Sequence, residues 1–213
     1  MLTAKIIATL VPLLCLFGVA ALGRGGRKTA PLIVIALLWG VASTFLVLPF
    51  NDAWYAKRGL QSLIIYGAPF SEEIAKGFIL PFLTLSKRCF WFVDGAILGL
   101  AAGTGFAIRE NWIYLDRDYS GQQIGLAIAR VSSTNLMHAG TTAIVGAAIV
   151  LSMKRGLLQR VLTPLGGLVI AMALHSTFNR MTTWPGESAA MITAVGVGVF
   201  AIASGIVALG FPI

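Results

Sequence analysis

Apolar residues fall in seven long runs along the chain, at about 4–22, 30–50, 60–83, 90–112, 125–151, 161–182 and 188–209, separated by short polar or Gly/Pro-containing segments. Crossing a membrane takes about 20 predominantly apolar residues, and each run is of that order. The pattern predicts an all-α, polytopic transmembrane bundle of about seven helices. No fixed-period repeat, low-complexity segment or inverted repeat stands out. The 213 residues leave room for little besides the helices, so 1–213 reads as a single integral-membrane domain.

Composition agrees with this pattern. The chain is 57% hydrophobic and 11% charged, where a soluble domain carries roughly 25% charged residues. Its net charge of +8 does not point to nucleic acid, because the basic residues sit in short connections between apolar runs and form no basic face. The first, third and fifth connections hold Arg24, Arg27 and Lys28, then Lys87 and Arg88, then Lys154, Arg155 and Arg160, with no acid among them. The second, fourth and sixth mix Asp52, Lys57 and Arg58, then Asp116, Arg117 and Asp118, then Arg180 and Glu187. The positive-inside rule predicts an N-out, C-in protein of the plasma membrane. Ala20, Ala21 and Gly23 could suggest a cleaved signal peptide, but the basic residues that follow at once favour an uncleaved first helix. Cys15 and Cys89 form neither a metal-type spacing nor a disulfide framework.

Subtracting the loop charges leaves Glu72, Glu73, Lys76, Asp94, Arg109, Glu110 and Arg130 within or at the ends of the runs, together with both histidines, His138 and His175. A charge at the bilayer centre costs roughly 2.5–3.5 kcal/mol on insertion scales, so a group of them needs a reason. In the third run Pro69 should kink the helix, and Ser71 is placed to cap a new segment with both glutamates in its first turn. Lys76 can reach either carboxylate along one face and hold it ionised, able to take a proton from water. Adjacent glutamates point about 100° apart, so one faces a given cavity, and Glu72 is the first choice. Phe106 and Glu110 share a face of the fourth helix; Arg130, Thr134, His138 and Thr142 form a stripe on the fifth; His175 and Asn179 lie four apart on the sixth. Such faces can converge on one cavity. Asp94, Arg109 and Arg130 read as snorkelling or paired side chains. Trp91, Trp112 and Trp184 read as the aromatic belt.

Glu72-Glu73-x-x-Lys76, Phe106-x-x-x-Glu110, His138 alone on the next helix and His175-x-x-x-Asn179 together resemble the PrsW-type intramembrane proteases, relatives of the CAAX prenyl endopeptidases. The likeness covers residues 60–182. Asn179 stands where PrsW-type members often carry Asp and is more like the CAAX pattern. The resemblance implies an endopeptidase whose catalytic set is Glu72, Glu73, Lys76, Glu110, His138, His175 and Asn179. Its substrate would be a single-span membrane protein, such as an anti-sigma factor cut first on its extracytoplasmic side, and the N-out orientation predicts a pocket that opens outward. Water activation by glutamate needs no cofactor, whereas His138, His175 and Glu72 could instead supply three ligands of an open zinc site. Two other classes use the same residues: a proton-coupled transporter, which would show substrate flux and no cleavage, and a binding scaffold indifferent to loss of the glutamates.

Overall fold

The computed structural model describes residues 1–22, 29–85, 91–118, 120–183 and 189–209. These form α1 (Leu2–Leu22), α2 (Ala30–Ser62), α3 (Ala68–Gly77), α4 (Leu80–Thr84), α5 (Phe92–Arg117), α6 (Gln123–Ser132), α7 (Thr134–Ser152), α8 (Leu157–Thr183) and α9 (Ala189–Leu209), with a π-helical turn over Leu63–Gly67 between α2 and α3. Gly23, Arg24, Arg27, Lys28, Lys87, Arg88, Cys89, Trp184 and Glu187 lie outside the described residues. Among the described residues, five stretches are long and apolar enough to cross a membrane: Leu2–Ala21, Ala30–Thr84, Phe92–Arg117, Gln123–Ser152 and Leu157–Thr183, with a shorter apolar segment at Val195–Gly205.

The 55-residue stretch Ala30–Thr84 is folded in two. Trp39 Nε1 donates to the Ala75 carbonyl, Ser71 Oγ donates to Asn51 Oδ1, and the Phe50 ring meets Phe70. Residue numbers rise on one side of these contacts as they fall on the other, so α2 and α3 run antiparallel. The reversal occurs at Gly59 (φ 79°, ψ 171°), a backbone conformation open to glycine and strained for other residues. The polar segment Asp52–Arg58, expected as a loop, continues α2 by two more turns. There Arg58 lies 5.1 Å from the centroid of the Trp54 ring and covers it.

Two local expectations are corrected. Ser71 is not an N-cap, and neither glutamate is in the first turn of α3. The wide turn at Leu63–Gly67 feeds into α3 with Pro69 in its opening turn, where a missing N–H costs nothing, so the helix runs on through Ser71. The fifth predicted helix is two, because the backbone breaks at Ser133 (φ −129°, ψ −76°). Ser132 and Ser133 donate to the carbonyls of Ile128 and Ala129 four residues back, a pattern that bends helices. Gly196 of α9 packs directly on the Ser133 carbonyl.

α5 is the central helix, buried on nearly all sides from Phe92 to Ile108. Its N-terminus is closed by the Trp91 N–H donating to Asp94 Oδ2, which accounts for that buried acid. Arg109 covers the Phe45 ring. Against α7 it packs backbone to backbone: a Cβ at Gly95, Gly99 or Gly103 would strike the carbonyls of Gly146, Thr142 and His138 respectively. These glycines, four apart, make the small-residue seam by which membrane helices approach closely. The seam fixes α7, and with it His138, at a set height beside α5.

Gly99→Val should therefore force the two backbones apart and destabilise the protein by about 1–3 kcal/mol or more. Gly166→Val, where an added Cβ meets nothing within 4 Å, should leave the thermal transition in detergent unchanged. Equal transitions for the two variants would refute the role given to the seam.

Candidate active site

The side chains that the sequence singles out on α3, α5, α7 and α8 meet in one buried network. Glu73, Lys76, His138 and His175 are at most 2% exposed, and Glu72 is 6% exposed. Lys76 Nζ lies 2.7 Å from Glu73 Oε1, a fully buried ion pair one helical turn apart. The same Oε1 is 2.8 Å from His175 Nδ1 and 3.2 Å from the Thr141 hydroxyl. A carboxylate can only accept, so His175 carries its proton on Nδ1 and turns the lone pair of Nε2 the other way. That lone pair looks toward Glu72, whose Oε2 is 3.8 Å from Nε2.

His138 is held between two charges. Lys76 Nζ is 2.9 Å from its Nδ1, and Glu110 Oε2 is 3.3 Å from its Nε2. An ammonium can only donate, so with Lys76 charged the His138 proton sits on Nε2, toward Glu110. Phe106 lies tilted against the His138 ring (centroids 5.2 Å, interplanar angle 53°) and also lies under the Lys76 ammonium, 5.2 Å from its centroid. The edge of the His175 ring meets His138 at a centroid distance of 4.8 Å. Arg130 crosses from α6 to α5, donating to Glu110 Oε2 at 2.6 Å and to Asn111 Oδ1 at 2.7 Å, with its guanidinium 3.9 Å from the Tyr114 ring centroid.

These groups border a cavity of about 540 Å³. Glu72, Phe106, Glu110, Arg130, His138, His175 and Asn179 line it, whereas Glu73 and Lys76 stand behind the wall. Its far side is apolar, from Val47, Leu48, Leu60, Leu63 and Leu126, and it reaches the surface beside Asp52, Arg117, Thr182 and Thr183. Asn179 has a structural bond in addition: its Nδ2 donates to the Ile64 carbonyl, and Ser176 Oγ donates to Ile65. Both carbonyls belong to the π-helical turn, so α8 satisfies the backbone that this turn leaves open.

Glu72, His138 and His175 each offer one ligand atom, all within 4.8 Å of one another. Glu72 Oε2 is buried and has no protein hydrogen-bond partner, and Glu73 backs the ring of His175 as carboxylates commonly back metal-bound histidines. Two histidines and a glutamate are an established zinc donor set. The residues therefore fit a metal, on the condition that the His138 proton moves to Nδ1 to free Nε2.

Several members of the site were not singled out from sequence. Thr141 escaped because the helical stripe pointed to Thr142, whose hydroxyl instead returns to the His138 carbonyl. Asn111, fully buried, stood beside Glu110 without a role. Arg130 read only as snorkelling or paired, and the charge complement of Glu110 was the signal that could have matched the two.

The model of the PrsW family of intramembrane metalloproteases matches residues 28–209. No curated protein and no solved structure matches the chain. With most of its length matched, the chain belongs to the PrsW family and is an intramembrane protease.

Proposed function

Starting from membership of this family, we propose that the cavity hydrolyses a peptide bond of a single-span membrane protein, with Glu72 as the base that activates water. The supporting observation is the contrast between neighbouring glutamates. Both glutamates keep a buried Oε2 with no protein partner, but Glu73, its Oε1 taken up by Lys76, His175 and Thr141, stands behind the wall, whereas Glu72 lines the cavity. The 3.8 Å between Glu72 Oε2 and His175 Nε2 is too long for a hydrogen bond and suits a water held by both. Both groups accept, so that water points its protons at them and its lone pairs at the cavity.

In the first step Glu72 takes a proton from this water, the new C–O bond forms at the scissile carbonyl, and the carbonyl oxygen becomes an oxyanion. His138 Nε2–H and the Asn179 amide are the donors for that oxyanion, and one such donor supplies about 2.7–4 kcal/mol. Glu72 then returns the proton to the leaving nitrogen as the C–N bond breaks. Lys76 and Glu73 are positioning residues here: Lys76 directs the His138 proton toward the cavity, and Glu73 directs the His175 lone pair there. Glu110 and Arg130 fix the outer edge of the His138 ring.

A second reading is favoured by the 4.8 Å cluster and by the metalloprotease designation of the family. Glu72, His138 and His175 would then be the ligands, and a bound zinc would supply carbonyl polarisation and a water of near-neutral pKa. In that case Lys76 would have to accept the His138 Nδ1–H.

The orientation in this proposal is N-out and C-in with seven crossings, counting the α2/α3 hairpin as two, in the plasma membrane. The cavity mouth at the Gly59 reversal and at the C-terminal ends of α5 and α8 then opens to the exterior. This suits the first, extracytoplasmic cut of an anti-sigma factor, which is the substrate class the resemblance implies.

Glu72→Gln should reduce release of the ectodomain of a co-expressed single-span substrate by about 10²-fold or more. It should leave the melting transition in place, since Glu72 Oε2 has no protein partner to lose. Lys76→Met and Glu73→Gln each break a buried pair and should lower stability by about 3–5 kcal/mol. Continued ectodomain release by both Glu72→Gln and Glu73→Gln would remove the catalytic assignment.

Exhaustive chelation of purified protein is expected to leave cleavage intact. Loss of activity that zinc restores, with about one ion bound per chain and none in His175→Ala, would transfer the chemistry to the metal reading.

A further inference from the structure

A second cavity, of about 580 Å³, lies between α3–α4, α7 and α8 and shares no lining residue with the catalytic one. Its walls are apolar, with Ile74, Phe78, Val145, Leu165 and Leu168 among them, and among the described residues Arg160 is the only charged one in its lining. We propose that this groove binds one anionic phospholipid, with an acyl chain between α3 and α8 and the headgroup phosphate on Arg160.

The walls require an occupant that is apolar along its length and reaches the site through the bilayer. Phe78, in the turn between α3 and α4, and Val161 and Leu165 of α8 are at least half exposed, on the side of the bundle that faces lipid. A peptide segment awaiting cleavage is a poor occupant, because the groove offers almost no polar group to an unwound backbone.

Charge chooses the headgroup. Arg160 uses Nε to donate to the Arg155 carbonyl. Its two terminal nitrogens have no protein partner among the described residues, which leaves the fork that pairs with phosphate oxygens free. Lys154 and Arg155 are its neighbours in sequence, and no acidic residue occurs between 119 and 186. The Arg160 guanidinium, at a groove between membrane helices, is the kind of basic site that takes an anionic headgroup. Ile74 and Gly77 follow Glu73 and Lys76 directly in sequence, so the groove lies about 100° around α3 from the buried pair, and a bound chain would brace α3 from the side.

The test needs no proteolysis. The full chain is reconstituted into nanodiscs of equimolar phosphatidylcholine and phosphatidylglycerol with matched acyl chains, extracted in mild detergent, and its retained lipid counted by native mass spectrometry. About one phosphatidylglycerol per chain should remain, at a preference of about fivefold, the scale of one basic residue near an anionic lipid surface. Arg160→Gln should bring the ratio to about one. Leu165→Trp, at a half-exposed position where a larger ring enters the groove and not the core, should reduce retention of both lipids. Equal retention of the two lipids by the wild-type chain overturns the proposal whether or not the variants fold. An unchanged preference in Arg160→Gln, or unchanged retention in Leu165→Trp, overturns it as well.

Discussion

One fully buried ion pair, Lys76 with Glu73, organises the site. Taking two charges out of water costs several kcal/mol each, and their attraction offsets this only if the remaining donors and acceptors are also satisfied. Here partners for Lys76 Nζ and Glu73 Oε1 come from two other helices. α7 brings Thr141 and the Nδ1 of His138, and α8 brings the Nδ1 of His175. Two of these contacts, to His138 and His175, also set the rotation of a histidine. Burying the pair and orienting the imidazoles are the same act.

The pair also decides the role of its neighbour. Successive helical residues differ by about 100° in direction, so turning Glu73 into the packed interior swings Glu72 onto the cavity wall. Glu73 gives up its Oε1 to structure behind the wall, and Glu72 presents an unpartnered oxygen to the cavity. Height along the membrane is set separately, by the contact of α5 with α7. The side-chain-free glycine seam admits essentially one register, in which Phe106 of α5 lies against the His138 ring. The most deeply buried helices are therefore α5 and α7, while most of α8 is exposed.

The helical class and much of the site were legible because both follow from local pattern. Apolar runs of about 20 residues mark helices, and an ionisable residue inside such a run is expensive enough to mark a site. Glu72, Glu73, Lys76, Glu110, His138 and His175 all stood out for that reason, and they meet in space. What escaped depends on contacts between distant segments. The break at Ser133 comes from two serines bonding backward and from the approach of Gly196, neither visible as a change in hydropathy. Thr141 could not be told from Thr142 without knowing how far α7 is rotated. Asn179 offered only an amide, and its bond to Ile64 depends on a π-helical turn that apolar periodicity does not announce. The glycine seam was readable in principle as Gly95, Gly99 and Gly103, but small residues are common in membrane helices and the spacing names no partner.

The placement of polar groups along the cavity follows from what hydrolysis within a membrane demands. The backbone of a spanning substrate is hydrogen-bonded within its own helix, and an unsatisfied N–H or C=O in hydrocarbon costs several kcal/mol. A scissile bond becomes reachable only where the helix unwinds, and unwinding is tolerable only where the freed groups find partners. Asn51, Arg130, Thr134, Asn179, Thr182 and Thr183 line the route from the surface to Glu72, facing apolar walls of Val47, Leu48 and Leu126. One side of the cavity can thus receive substrate side chains as lipid did, while the other replaces the hydrogen bonds that the unwound segment has lost. The polar strip is a condition of access, and Glu72, the base in the proposed mechanism, lies at its inner end.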